Sequence, residues 1–157
     1  MRKLSELISA VNNVKINDVC SDAVAQTKDD LLKINKEQLY DGKLKTGADL
    51  SPTYLDDPYF KTPASAKRYS DWKDQITPNS KRKSGVPNLF ITGVFYDSLS
   101  ISISGLDIKT DSSFHSASDI ESKFSTDIFG LGGEYKEEYL DMIKPIVLED
   151  LTAQLNK

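Results

Sequence analysis

The sequence predicts an α+β fold, in which a small antiparallel sheet packs against N- and C-terminal helices around a long irregular central insertion. Apolar residues recur at helical spacing near both ends of the chain. Between them, residues 98–104 alternate serine with an aliphatic side chain, which is the period of a strand. Residues 39–87 hold five of the six prolines. A length of 157 residues suits a single domain, 1–157, which buries its own core.

Two helices are expected in the N-terminal part. Asn12 and Asn13 favour a break between them, since their side chains compete for backbone hydrogen bonds. The second helix is predicted over 17–36, with Asn17 as its N-cap and Cys20 on its apolar stripe, where a buried structural thiol is expected. The first helix is predicted from one apolar face, formed by Leu4, Leu7, Ile8, Val11 and Val14.

The central segment, residues 39–87, is rich in proline and aromatic side chains. We expect a short hairpin over 38–50, a short helix over 64–75 and a solvated basic loop at 81–83. The rings are too many to leave in water, so the segment packs either on a neighbouring subunit as an arm or back on its own domain. The sequence leaves both arrangements open. The rings are Tyr54, Tyr59, Phe60, Tyr69 and Trp72.

The sheet is predicted in the second half of the chain. A short helix or turn over 90–95 leads into the alternating strand, and 106–109 returns after Gly105. A loop is expected at 111–113 and a short helix at 119–124.

The C-terminal part predicts a long amphipathic helix that begins at Glu134. Residues 130–133 contain three glycines and are expected to form a flexible hinge before it. Pro145 lies within the pattern, where proline either kinks a helix or begins a new one. We favour a break at Pro145.

No set of residues in the sequence indicates catalysis, a cofactor or a metal, and we assign no catalytic, cofactor-binding or metal site. There is one cysteine and one histidine, His115, so a zinc site of cysteine and histidine ligands is excluded. A serine–histidine–acid triad would have to use His115. The acidic pairs 29–30 and 56–57 are adjacent in sequence and are expected to point apart. We therefore predict a protein that is not an enzyme.

Charge is distributed unevenly along the chain. Residues 1–84 carry a net charge of +3 and residues 85–157 carry −7. Such a chain suits head-to-tail contact between unlike faces of neighbouring copies, although folding can also mix these charges in space. The basic groups 67–68 and 81–83 are a weak indication of nucleic-acid binding, because a footprint normally needs a larger basic patch. The sequence has no stretch of 18 apolar residues, so we predict no membrane span.

The stretch Thr92-Gly93-Val94-Phe95-Tyr96-Asp97-Ser98-Leu99-Ser100-Ile101 resembles the Thr-Gly-x-Leu-x-x-Ser-Ile signature of phage tail-completion proteins. These are the neck, or head–tail joining, proteins of long-tailed phages, and the virion-morphogenesis proteins of Mu-like phages are similar. Phe95 and Leu99 stand where leucine and isoleucine are commoner in that signature. The order of elements also resembles the family: a long helix, a variable segment, the Thr-Gly turn, a hairpin, a Phe-Gly element at 129–130 and a final amphipathic helix.

This resemblance implies a structural virion protein of the head–tail connector or tail terminus, located in the virion and in the host cytoplasm during assembly. The implied partners are further copies in a homo-oligomeric ring and other virion proteins of the connector and tail tube. Two alternatives stay open: a small cytoplasmic protein-interaction module and, less favoured, a nucleic-acid-handling protein.

Overall fold

A computed structural model describes residues 4–156, with the side chains of Leu4, Ser5 and Leu7 outside the described part. It confirms the predicted α+β class, because the described residues form seven α-helices and one two-stranded antiparallel sheet. A 3-10 turn, Thr126–Ile128, precedes the last helix. The elements are α1 (Leu4–Asn13), α2 (Ile16–Gln26), α3 (Lys28–Tyr40), α4 (Pro63–Ile76), α5 (Val94–Asp97), β1 (Leu99–Ser104), β2 (Asp107–Ser112), α6 (Ala117–Phe124) and α7 (Gly133–Leu155).

The core consists of two hydrophobic clusters that both contact Leu32 of α3. Strand β1 supplies Leu99 to the first cluster and Ile101 to the second, so the sheet packs against α3 and α7 as predicted. The buried members of the first cluster are Leu39, Leu50, Val86, Phe95, Tyr96, Leu99, Phe124 and Ile128. Those of the second are Ala23, Leu31, Ile34, Ile101, Tyr135, Tyr139 and Ile143.

The hairpin has the alternation that the sequence predicts, with Leu99 and Ile101 buried and Ser100, Ser102 and Ser104 exposed. The return strand is longer than expected and runs from Asp107 to Ser112, so the loop predicted at 111–113 is wrong up to Ser112. A hydrogen bond of 2.7 Å between the hydroxyls of Ser98 and Ser112 closes the base of the hairpin. The two strands therefore stay paired as far as Leu99 and Ser112.

The single helix predicted over 17–36 is two helices, α2 and α3, which meet at Thr27. The Thr27 hydroxyl donates to the carbonyl of Ala23 at 2.9 Å and shares a 2.9 Å hydrogen bond with the hydroxyl of Tyr139. A polar side chain that bonds the preceding turn bends or interrupts a helix. Asn17 is not the N-cap, since α2 begins at Ile16 after Lys15, and Cys20 is only half-buried.

The hairpin predicted over 38–50 is also wrong at its start, because α3 continues to Tyr40 with Gln38 and Leu39 fully buried. The chain turns at Gly42, whose φ of +68° is a left-handed conformation that favours glycine. A smaller antiparallel loop follows, where Lys43 bridges to Asp49 and their side chains form a 2.5 Å ion pair.

Helix α7 is continuous, so the break favoured at Pro145 is wrong. Pro145 lies inside the helix with its side chain in water, and Asp141, one turn earlier, is exposed as well. This face of the helix is in contact with solvent, which can hydrate the carbonyl that proline leaves without a partner.

In the single chain the central segment folds back on its own domain, which is the second of the two arrangements considered. Leu39, Leu50 and Val86 belong to the first cluster, and Tyr54 is 6% exposed. The predicted helix is present as α4, and Thr62 begins it with a capping box to Ser65.

Candidate functional site

An apolar cavity of about 640 Å³ lies between α4, the loop before it, and the elements from α5 to α6. This volume is in the range of small-molecule and peptide side-chain sites. We call it the aromatic cavity. Its lining includes Tyr54, Asp57, Tyr59, Phe60, Tyr69, Lys73, Leu89, Ile91, Thr92, Gly93, Val94, Phe95, Phe114, His115, Ile120, Lys123 and Phe124.

One wall consists of rings from the central segment. Tyr69 of α4 contacts Tyr54 edge-on at 5.0 Å between ring centroids, and it contacts Phe60 at 5.1 Å. Trp72 lies 5.3 Å from Tyr69 on the outside of this group. Such contacts fix the rings against one another, since each aromatic pair adds about 0.5–1.5 kcal/mol beyond its buried area. The wall is therefore preformed in the single chain.

The opposite wall contains the Thr92-Gly93 turn of the sequence motif. Gly93 has a φ of +87° and directly precedes α5, so the motif glycine is required by backbone conformation. Phe95 of α5 packs edge-on against Phe114 at 6.0 Å. The motif thus shapes the aromatic cavity and the start of β1.

Lys73 is a buried cation in the cavity lining. Its residue is 1% exposed, and Nζ donates to the backbone carbonyl of Phe90. Burial, together with the weaker effect of the nearby Arg82 charge, lowers the pKa of Lys73 to about 8. Within residues 4–156 no carboxylate lies within ion-pair distance of Nζ. A buried charge without a counter-ion is costly, so the cavity favours an occupant that carries negative charge.

A second lysine of the lining, Lys123, is neutralised by Asp57 through an ion pair. Burial raises the pKa of Asp57, but the hydrogen bonds from Lys123 and from the backbone N–H of Tyr59 outweigh it and hold that pKa below its usual value. The Asp57 side chain is 8% exposed. This pair ties α6 to the loop before α4.

The rim of the aromatic cavity is apolar and open to solvent. Tyr59, Ile91 and Val94 are 77%, 55% and 54% exposed. Contiguous exposed apolar surface of this kind typically marks a binding surface. Together with Lys73, the rim and walls can take an apolar group that carries a carboxylate.

The residues considered for catalysis or metal binding are not brought together. His115 is exposed, and its ring contacts Phe114 at 4.4 Å. Asp29 and Asp30 are exposed on α3, whereas Asp56 bonds Thr53 and Asp57 pairs with Lys123. The part of the chain that the structure describes has no group of three or more histidine, cysteine, aspartate or glutamate side chains placed to hold a metal ion.

The basic run 81–83 lies in a loop as expected, but Arg82 is buried rather than solvated. Arg82 donates to the carbonyl of Val86 at 2.8 Å and forms an ion pair with Asp74. Lys81 lies 3.8 Å from Asp41, and Lys83 lies 2.7 Å from Asp49. Each basic side chain of the run lies near a carboxylate, which reduces the positive electrostatic potential that a nucleic acid would meet.

Residues 130–133, which were expected to form a flexible hinge, are fixed by hydrogen bonds and close packing. Gln38 donates to the carbonyl of Gly130 at 2.9 Å and accepts from the N–H of Gly132 at 2.8 Å. A Cβ on Gly132 would lie 1.7 Å from the carbonyl oxygen of Lys45. This run is therefore a close-packed joint between α3, the 43–49 loop and α7.

The sequence did not indicate Lys73, and its expectation that all five rings are covered is only partly met. Tyr54 is buried and Phe60 and Tyr69 are half-buried, whereas Tyr59 and Trp72 are exposed. The buried positions of α4 are Ala66, Ser70 and Lys73, followed by the buried C-cap Thr77, and three of these four residues are polar. A search for apolar periodicity cannot find a buried face that is mostly polar. The helical spacing of these four positions, which are separated by four, three and four residues, is the one signal in the sequence that could have indicated the buried face.

Comparison of the chain with protein-family models, with curated proteins and with solved structures finds no match in any of the three. Among residues 4–156, no helix has both the length and the apolar composition that crossing a bilayer requires.

Proposed function

We propose that the chain is a non-enzymatic structural protein of a phage virion, which assembles as a homo-oligomeric ring at the head–tail connector or the tail terminus. The observation that carries this proposal is the exposed apolar surface, which lies at separate places on the chain. These places are the rim of the aromatic cavity, the hairpin tip at Leu106 and Ile108, and the helices α1 and α7. Unlike patches on one chain suit heterologous contacts, which form a ring when the rotation between neighbouring copies closes.

The resemblance of residues 92–101 to the tail-completion signature supports the same proposal. In the structure this stretch is a left-handed glycine turn, the short helix α5 and the start of β1. Its role is to shape a surface and a hairpin, as expected for an assembly protein.

The distribution of exposed charge also supports contact between unlike faces. Helix α7 exposes more acidic than basic side chains, among them Glu137, Glu138 and Asp141. The basic excess lies in the other part of the chain, since residues 1–84 carry a net charge of +3 and residues 85–157 carry −7. Opposite faces of this kind steer association between copies.

The mass of the purified protein tests the proposal. Native mass spectrometry at micromolar concentration is expected to give one closed multiple of the 17.5 kDa chain, and electron microscopy is expected to show annular particles. Binding to purified portal or tail-tube protein should require the assembled form. A strictly monomeric protein that binds neither partner contradicts the proposal.

The competing proposal is a small cytoplasmic protein-interaction module, which the same apolar rim would also serve. It predicts a stable monomer whose gene lies away from phage structural genes. A nucleic-acid-handling role predicts DNA binding that falls steeply with salt, and no binding at low salt would contradict it.

A further inference from the structure

We propose that the aromatic cavity of one copy receives the hairpin tip, residues 104–108, of the neighbouring copy. This inference rests on the proposed function, because it names the contact that would build the ring. The aromatic cavity is then a binding site, and its occupant is a segment of a second copy of this chain.

The tip has the apolar part of the required chemistry. Leu106 is 57% exposed and Ile108 is 45% exposed at the end of the hairpin, where Gly105 turns with a φ of +61°. In contrast to Leu99 and Ile101 at the base, these side chains have no place in either cluster of the core. Leu106 is therefore an apolar side chain that its own chain leaves in solvent, and Ile108 beside it is only partly covered, at the edge of a depression that Leu140 also lines.

The tip also has the charge that the cavity lacks. Asp107 is exposed beside Leu106, and within the described residues it has no ion-pair partner, whereas Lys109 and Asp111 pair with each other at 2.7 Å. Lys73 in the cavity is the cation without a carboxylate neighbour. A leucine followed by an aspartate matches an apolar cavity with an uncompensated ammonium group.

The tip cannot occupy the cavity of its own chain. The base of the hairpin adjoins the cavity, since α5 precedes β1 directly and Phe114 follows β2 by two residues. Each strand has six residues, so the tip lies about 17–20 Å from the base. The occupant must come from a second copy. The contact joins two different surfaces, and its repetition by a rotation closes a ring.

Two variants test this contact from its two sides. Leu106→Asp destroys the apolar tip, and Val94→Trp places a large ring at the mouth of the cavity. Both positions are more than half exposed, so each variant is expected to fold with the circular dichroism spectrum of the wild type. In native mass spectrometry each variant alone is expected to be monomeric, with the dissociation constant for self-association raised at least tenfold.

A mixture of the two variants gives the decisive measurement. Leu106→Asp keeps an intact cavity and Val94→Trp keeps an intact tip, so the mixture should form a heterodimer and stop there. The control, Leu55→Asp, changes a leucine that is 65% exposed outside both surfaces, and it should leave the wild-type assembly mass unchanged.

The outcomes separate this inference from the proposed function. A wild-type ring that both variants still form overturns the tip contact and leaves the ring proposal standing. Monomeric variants that give no heterodimer also overturn it. A monomeric wild type contradicts both proposals, and a small molecule that co-purifies with that monomer but not with Val94→Trp would assign the cavity to a ligand.

Discussion

Lys73 shows how a single side chain can be held in an unfavourable state by its surroundings. Its stem lies among the rings of the aromatic cavity, while its ammonium group has the carbonyl of Phe90 as hydrogen-bond acceptor. Burial makes the neutral form easier to reach, which is why the pKa falls to about 8. In the single chain the protonated lysine therefore lowers stability.

The stability of the monomer is expected to depend on Lys73 between pH 7.5 and 9.5. The folded chain binds this proton more weakly than the unfolded chain, whose lysine pKa is 10.5. The unfolded state thus carries more protons in this range, and the free energy of unfolding rises with pH. Relative to Lys73→Met, the wild type should gain about 1–2 kcal/mol over this range.

Urea denaturation at several pH values measures this difference, with Leu106→Asp as the background if the wild type assembles. The upper limit avoids the ionisation of tyrosines, which acts in the opposite direction at higher pH. Equal pH dependence in the lysine and methionine proteins would contradict the assignment.

Single residues were the hardest part of the structure to foresee from the sequence. Lys73 was not singled out and Arg82 was expected in solvent, yet both are buried. Lys73 bonds Phe90, 17 residues further along the chain, and Arg82 bonds the nearby carbonyl of Val86. The motif glycine was easier, because the need for a special backbone conformation at Gly93 is local.

At the scale of elements, the start of α7 depends on a close approach of two backbones. Gly132 lies against Lys45, and Gln38 bonds the chain on both sides of Leu131. The first turn of the longest helix is thereby fixed to α3 and to the 43–49 loop. The orientation of α7 follows from that contact.

Gly132→Ala is expected to be much more damaging than Gly133→Ala. At Gly132 a Cβ would overlap the carbonyl of Lys45, so we expect a loss of more than about 3 kcal/mol in the free energy of unfolding. At Gly133 a Cβ meets no atom within 4 Å, and only the φ of +54° is unfavourable, which costs about 1–2 kcal/mol. Chemical denaturation of both variants provides the comparison, and equal losses would refute the close contact.

Elements were predictable where the pattern is local. The serine alternation of β1 and the proline-led start of α4 were both confirmed. The sequence could not predict the division at Thr27 or the continuity of α7. The division at Thr27 depends on a hydrogen bond to the hydroxyl of Tyr139, which is distant in sequence. The continuity of α7 depends on Pro145 lying on the face of the helix that is exposed to water.

At the scale of the whole molecule, the central segment is part of the core. Leu50 and Val86 lie in the same cluster as Leu99 and Ile128. A chain that lost this segment would expose one of its two clusters. The segment and the hairpin are therefore expected to unfold together.

Two leucines of the central segment distinguish this arrangement from a detachable arm. Leu50 is fully buried, and Leu50→Ala is expected to lower the free energy of unfolding of the whole chain by about 2–5 kcal/mol. Leu55 is 65% exposed, and Leu55→Ala should change it by less than about 0.5 kcal/mol. Thermal denaturation followed by circular dichroism tests both, and an unchanged Leu50→Ala protein would return the segment to the role of an arm.

The candidate site was predictable in composition but not in shape. The sequence indicated that the rings of 54–72 must be covered, and it singled out the Thr92-Gly93 turn. It could not show that both line one cavity, because this depends on contacts between segments distant in sequence, such as the ion pair of Asp57 with Lys123 of α6.

The two-stranded sheet leaves the outer edge of β2 without a neighbouring strand among the described residues. A free edge offers backbone groups to any other extended chain and so promotes aggregation. Here the edge strand carries Asp107, Lys109 and Asp111 at every second position. Charges at this spacing oppose the addition of a further strand, because each would have to lose its water on pairing. The edge of β2 is therefore a poor template for joining copies of this chain into fibrils.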